Sequence, residues 1–391
     1  MSLSEHHRGP VPRAAEVVVV GGGVMGAAVA FHLAEAGVDV LLVERDELAS
    51  GSSGKPLGGV RAQFSDPLNV ALGAHSLRAY QDFGVRPGAD IGLEQVGYLF
   101  LLRTDAEVEL FTASVAMQNV LGVPSRIIGP DEVQRLCPYV DPTRYVAAAY
   151  SPEDGFARPA AVVEGYVTAA ERLGAQVRTG CDVTRIGTSG TRITDVQTTR
   201  GVVRTGTVVC CAGAWSRGVG ALVGVDLPVE PLRRQIAFSP ALEPAPPRIP
   251  FTIDYGTTFY FHNAGDGLAV GIAEPDQDVG FGVAYDDEPL LAALRDAAAT
   301  CAPALQGVPL DHGWAGLYEM TPDHNALIGE ARGVSRFLYA TGFSGHGFLQ
   351  APAVGEVVRD LVLERTPFLD VAAFRAERFA QAALLTEANI I

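Results

Sequence analysis

The stretch that most constrains the fold is residues 16–45, E-V-V-V-V-G-G-G-V-M-G-A-A-V-A-F-H-L-A-E-A-G-V-D-V-L-L-V-E-R. Val17 to Val20 form an apolar, β-branched run with the composition of a central parallel strand covered on both faces. The run meets Gly21-x-Gly23-x-x-Gly26, then apolar residues at helical spacing: Val24, Ala27, Ala28, Phe31 and Ala34. A second strand, Val38 to Val43, ends on Glu44. In such a context Gly21 permits the tight turn, Gly23 lets a pyrophosphate approach bare backbone, and Gly26 lets helix and strand pack closely. The helix start offers unpaired N–H groups and a positive dipole end. Glu44 is placed to accept hydrogen bonds from ribose hydroxyls and to repel a 2′-phosphate. Strand, turn, helix, strand and acid in this order predict an adenine dinucleotide, FAD or NAD, and disfavour NADP.

The chain of 391 residues is long enough for two domains, and 48% hydrophobic composition supports large cores. A net charge of −16 with no compensating basic run argues against nucleic acid and anionic membrane as partners. Lys55 is the only lysine; the other 28 basic residues are arginines. Cys137, Cys181, Cys210, Cys211 and Cys301 are scattered, odd in number and without CxxC or CxxH spacing. That pattern predicts no metal set and fits a reducing, cytoplasmic compartment better than a disulfide framework. Residues 1–15 read as a floppy leader with no apolar signal region, and no run approaches the length of a membrane span.

Residues 46–66 form a Gly/Ser-rich loop whose amides and Ser52 and Ser53 hydroxyls suit an extended cofactor. Leu57, Val60 and Phe64 argue that this loop packs, which places Arg61 among residues that want burial. A buried arginine needs an anion, either a ligand carboxylate or a structural ion-pair partner. Helices are expected over 67–83, 105–121, 131–137 and 155–175, and strands at 96–102, 176–179, 183–186, 192–199 and 202–211. The last of these runs into C-A-G-A-W-S, a second strand-to-glycine junction suited to a cofactor crevice. Five prolines within 240–250 precede an aromatic alternation and a hairpin turning at 263–267, with a helix from Glu288 to Cys301. Tyr255, Phe259, Tyr260 and Phe261 are candidates for a pocket wall or for sheet core. Near the end a strand meets Gly342-Phe343-Ser344-Gly345-His346-Gly347-Phe348, and Ala351 begins a helix. His346, held between two glycines, is oddly placed for a core histidine and is a candidate for cofactor or substrate contact.

With both ends on the page, the chain resembles the D-amino-acid oxidase superfamily of FAD enzymes. It is similar to the branch of sarcosine oxidase, glycine oxidase and the β subunits of sarcosine oxidase and L-proline dehydrogenase. The glycine fingerprint with Glu44, the S-G-S-S-G loop leading to G-G-V-R-A-Q-F, C-A-G-A-W-S and G-F-S-G-H-G-F carry the likeness, over roughly 16–375. G-Y-L-F-L-L and W-A-G-L-Y-E-M-T-P-D-H-N-A-L-I-G look most like the proline dehydrogenase type. The resemblance implies an α/β fold: a Rossmann-type FAD-binding domain with a discontinuous, antiparallel-sheet (α+β) substrate domain. The FAD-binding parts would be 16–88, 150–224 and 312–391 with its C-terminal helix, and the substrate parts 89–149 and 225–311. The resemblance implies FAD rather than NAD, held by Gly21, Gly23, Val24, Met25, Gly26, Glu44, Arg45, Ser52, Ser53, Gly59, Val183, Ala212, Gly213, Trp215, Gly342, Gly345, His346, Gly347, Phe348 and Leu349. By the same likeness Arg61 lies beside the flavin and the substrate carboxylate, Tyr260 near a pocket tyrosine, and His346 close to the flavin ring.

Three departures shape the expectation. Relatives with covalent flavin use a cysteine near the position of Gly316 or a histidine in the N-terminal loop, so non-covalent FAD is expected here. A carboxylate-binding lysine of sarcosine oxidase is replaced by Leu349, and its oxygen-activating lysine aligns near Ala269. An electron-acceptor protein, a sister subunit or a quinone-like carrier is therefore expected to take the electrons. The implied activity is oxidation of the C–N bond of a small or N-alkyl amino acid, of the sarcosine, proline or glycine class, by hydride transfer to flavin. The alternatives are a flavin-dependent 2-hydroxy-acid dehydrogenase using His346 or His262 as base, and a non-catalytic FAD-binding scaffold.

Overall fold

Val17–Val20 is an inner strand of a six-stranded sheet. The order across that sheet is Leu327–Glu330, Phe337–Thr341, Thr207–Cys210, Val17–Val20, Val40–Val43 and Gln176–Arg178. All neighbours are parallel except the edge strand Leu327–Glu330. The computed structural model describes residues 7–55, 57–273, 279–380 and 387. Val17 and Val19 face helices, whereas Val18 and Val20 face a separate three-stranded antiparallel sheet through Ile186, Ile193, Val196 and Val203. Burial on both faces is why this run carries no polar alternation, and each buried valine contributes about 1.5–3 kcal/mol.

The helix Val24–Glu35 is buried at every position from Val24 to Ala34, because the helices Pro159–Arg172 and Gly347–Val362 cover its outer side. The crossing with Gly347–Val362 is close enough that a Cβ on Gly355 would stand 2.6 Å from the His32 ring. Burial holds His32 neutral, down to about 3.

The second half is an eight-stranded sheet. Its order is His312–Met320, Glu230–Phe238, Gly267–Gly271, Tyr260–Ala264, Phe251–Asp254, Tyr98–Leu102, Ala147–Ser151 and Arg126–Ile128. Its pairs are antiparallel except Phe251–Asp254 with Tyr98–Leu102. Alternation divides its two faces. Leu99, Leu101, Phe259 and Phe261 pack with Leu290 and Leu294 of the helix Asp287–Cys301, and Tyr98, Phe100, Phe251 and Tyr260 cluster on the other face.

Several expected boundaries shift for identifiable reasons. His312–Met320 pairs along the whole of Glu230–Phe238, so the chain leaves the second sheet after Met320 and not at 312. The run 202–211 splits at Gly206 into Gly201–Arg204 and Thr207–Cys210, which serve different sheets. The helix expected from 155 begins at Pro159, because Gly155–Phe156 is taken up in pairing with Gly59–Val60. The last long helix starts at Gly347, directly after His346, rather than at Ala351. The leader expectation fails for residues 7–15. His7 is buried against Glu171 at 3.0 Å, and the backbone of Arg13 and Ala15 bonds Arg204; residues 1–6 lie outside the described part. No helix among the described residues is long and apolar enough to cross a membrane.

Candidate functional site

The glycine turn between Val20 and Val24 is shaped by contacts that a side chain would break. Gly21 has φ +113, and a Cβ there would strike the carbonyl of Cys211; a Cβ on Gly26 would strike the carbonyl of Gly21. Gly23 differs, since the atom facing it is Ser53 Oγ, 2.9 Å from where its Cβ would stand. Ser53 Oγ accepts the Val24 N–H at 2.8 Å, so a residue from the distant Gly/Ser loop caps this helix. Ser53→Ala is expected to cost about 1 kcal/mol in urea denaturation. An unchanged midpoint would discard the capping role. Ser52 Oγ donates to Leu317 O at 2.6 Å and ties the same loop to the second sheet.

Glu44 ends its strand with Oε2 accepting the Gly22 N–H at 2.6 Å and Oε1 accepting the Asp46 N–H at 2.8 Å. Beside it Arg45 lies 4.6 Å over the Trp215 ring, which stacks on Phe281 at 5.5 Å. These groups line an outer cavity of about 390 Å³, with Gly21, Gly23, Val24, Met25, Ser52, Ser53, Val183, Ala212, Gly213 and Gly347 in its walls. An inner cavity of about 160 Å³ continues from it, sharing Val24, Ser52, Ser53, Lys55, Gly316, Leu317, Glu319 and Gly347. The inner walls add Gly59, Arg61, Tyr98, Arg234, Phe251, Tyr260, Tyr318 and the turn Ser344–Leu349.

Arg61, Tyr260 and His346, far apart in sequence, thus come to one cavity. Arg61 is 3% exposed, bonds the carbonyl of Gln63 and lies 4.5 Å over Phe64. Burial pulls its guanidinium below the usual arginine value. Behind it Asp154, fully buried, accepts the Ala62 N–H at 3.1 Å. Burial pushes the Asp154 carboxyl up to about 7, against the smaller pull of that N–H and of Arg61. Tyr260 crosses over Gly271, a position with no room for a Cβ. His346 is the residue before the helix Gly347–Val362 and meets Phe64 edge-on at 5.1 Å. Gly345, at φ +96, leaves room for the Tyr318 ring, which its Cβ would approach to 2.6 Å.

Two expected cofactor residues stand outside both cavity walls. Gly26 packs the helix onto the turn, and Gly342 is fixed behind the wall, its N–H donating to Glu319 Oε2 at 2.9 Å. Among the aromatics, Phe259 and Phe261 belong to the covered face and Tyr255 packs on Phe111 at 5.0 Å, leaving Tyr260 to the cavity. His262 lies between Phe156 and Phe251, at 4.7 and 4.6 Å; burial holds it down to about 4. It lines neither cavity. Ala269 is buried within the sheet, whereas Lys55, the only lysine, lines the junction of the two cavities. Sequence reasoning missed Tyr98, Arg234, Tyr318 and Glu319. Each is an ordinary strand residue until non-local pairing, such as Arg234 opposite Gly316, turns it to the cleft.

A parallel sheet with a glycine turn at its crevice, a strand-end acid and an inner cavity against a second sheet defines a dinucleotide-dependent enzyme fold. The residues fit the group: bare backbone at Gly213 and Gly347, a helix start at Val24 and a cleft running in two connected parts. Residues 16–361 match the family described as FAD dependent oxidoreductase (DAO), and the chain belongs to that family. It is similar to L-proline dehydrogenase from P. horikoshii, with a TM-score of 0.90 and 31% identity, covering 96% of this chain and 100% of that one. Glycine oxidase from Geobacillus kaustophilus gives a TM-score of 0.83 and 26% identity, covering 94% and 99%. A 4-methylaminobutanoate oxidase (formaldehyde-forming) from Paenarthrobacter nicotinovorans is 29% identical over 95% of this chain and 46% of its own length. The chain spans about half the length of the curated relatives it matches.

Proposed function

We propose that this chain oxidises the C–N bond of a small amino acid or N-alkyl amino acid, of the sarcosine, proline or glycine class, to an imine. The observation that carries the reading is the charge and size of the inner cavity. Among the described residues, Lys55, Arg61 and Arg234 line it against a single carboxylate, Glu319, in about 160 Å³. Such a site favours a small anion, and arginine suits a carboxylate by its planar fork. Tyr98, Phe251 and Tyr260 supply apolar walls for a short aliphatic body. The relatives' names point the same way, to an N-methyl amine, proline and glycine.

When bound, FAD supplies the acceptor for the hydride that leaves the carbon next to nitrogen. The residues of the chain bind and orient. In this reading Arg61, Tyr260 and His346, which line the inner cavity, serve the substrate and the reacting end of the cleft. The amine has to be neutral for its lone pair to form the C=N bond, and a cavity lined by cations favours that form. Water adds to the imine after release. Gly316 offers no side chain for attachment, so the cofactor is held without a covalent bond at this position. Electrons pass on to an acceptor protein or sister subunit. A cytoplasmic setting belongs to this reading through the five cysteines, all buried and unpaired.

The test is an anaerobic absorption spectrum of the FAD-loaded protein before and after sarcosine, L-proline, glycine, D-amino acids and 2-hydroxy acids. Bleaching of the flavin bands by an amino acid is the expected result. Bleaching by hydroxy acids alone would replace this reading, and bleaching by none would favour a scaffold.

A further inference from the structure

Glu319 is the one carboxylate in the wall of the inner cavity among the described residues, and it lines the outer cavity as well. Any ligand that runs through both parts of the cleft therefore passes its side chain. The carboxylate is held in place from one side. Oε2 accepts the Thr341 hydroxyl at 2.8 Å and the Gly342 N–H at 2.9 Å. Oε1 lies 3.5 Å from where a Cβ on Gly347 would stand, and Oε2 lies 3.8 Å from the same point on Gly213. The carboxylate thus sits between two turns of bare backbone, at the end of a strand from the second sheet. Burial raises its pKa, while the N–H groups of Gly342 and Phe343 and the Thr341 hydroxyl favour the charged form.

We propose that Glu319 holds a negative charge against the bound cofactor and lowers its reduction potential. The inference rests on FAD occupying this cleft. Reduction adds electrons to the cofactor, so a fixed anion beside it disfavours the reduced form, more strongly in a closed cleft than in water. Lys55, at the same junction, acts in the opposite sense. Reduced cofactor bound beside Glu319 is a stronger donor, which favours passing electrons on to a downstream acceptor. Glu319 is a positioning and tuning residue here, with no proton transfer assigned to it.

The experiment compares midpoint potential and FAD affinity in the parent, Glu319→Gln and Glu319→Asp. Glutamine keeps an oxygen for Gly342 and Thr341 and removes the charge; aspartate keeps the charge. The expected result is a rise in potential for Glu319→Gln equivalent to about a tenfold gain in relative affinity for reduced over oxidised FAD, ~30 mV for a two-electron couple. Glu319→Asp should stay nearer the parent, and Lys55→Met should shift downward. A fall in melting temperature with an unchanged potential would make Glu319 a structural tie and overturn the proposal. If Glu319→Gln does not fold, Glu319→Ala, which lets cleft water reach the Gly342 N–H, carries the same comparison. Failure of the parent itself to bind FAD would overturn the cofactor assignment, and the tuning role with it.

Discussion

Gly26→Ala is expected to give protein that retains little FAD and melts well below the parent. The added methyl points at the carbonyl oxygen of Gly21, backbone against backbone, so no side chain can swing aside. Gly21 cannot retreat either, because its own free face is filled by the carbonyl of Cys211. Overpacking of this kind costs about 1–3 kcal/mol, more where the frame is rigid. Here the frame is the central strand and the helix that follows it. Relief can come only by prising Val24–Glu35 away from Val17–Val20, which displaces the helix start in the wall of the outer cavity. Gly23→Ala is the informative contrast. Its methyl would meet Ser53 Oγ at 2.9 Å, a side chain able to rotate, so a smaller loss is expected. Flavin content per chain and a thermal melt read both variants. Parental values for Gly26→Ala would mean that the turn is less tightly built than its contacts indicate.

Asp154→Asn is expected to stabilise the protein at pH 8 and to lose that advantage as the pH falls. The folded carboxyl keeps its proton up to about 7, against 3.8 for an ordinary aspartate, chiefly because it is buried. Below the unfolded value both states are protonated and nothing is lost. Between the two values the unfolded chain alone ionises, which draws the equilibrium towards unfolding, and the loss is complete above the folded value. With each pKa unit equal to about 1.4 kcal/mol, the ceiling is on the order of 4 kcal/mol. Asparagine keeps an oxygen for the Ala62 N–H and does not titrate. Denaturant midpoints of parent and variant at pH 5, 6.5 and 8 should therefore diverge with rising pH. A constant gap, or a gap that widens towards acid, would show that Asp154 ionises freely in the folded state. The same carboxyl supports the loop that carries Arg61, so the parent retains a group whose cost falls on stability and whose benefit falls on the cavity.

What was legible in the chain follows the range of the interactions. The turn at Gly21 and the helix after it are written locally, in φ requirements and close approaches, and both stand as read. The place of His346 in a cavity wall is foreshadowed because a histidine between two glycines has no ordinary core reason. Glu319 was not, although W-A-G-L-Y-E-M-T-P-D is conspicuous as text. A carboxylate in a strand reads as solvent-facing until the neighbouring sheet and the Gly342 turn close over it. The strand His312–Met320 lies in the second sheet, although 312–391 is expected in the FAD-binding part, for a related reason. Its local pattern says only that it is a strand, and which edge it joins is decided by Glu230–Phe238, some eighty residues earlier. Pro159, not residue 155, starts its helix, since proline is tolerated at the first helical position while Gly155 is drawn into pairing with Val60.

The shared wall of the two cavities has a consequence for how the protein is made. Gly21 and Glu44 emerge during synthesis some three hundred residues before Glu319 and Gly347. The nucleotide fingerprint on a growing chain is therefore half a receptacle, open along the side that Leu317 and the Gly347 turn will later close. A complete cleft has to wait until the Gly347 turn has been made. A ligand that fills both parts of the cleft bridges segments some three hundred residues apart, a clasp that any later opening of either half has to undo.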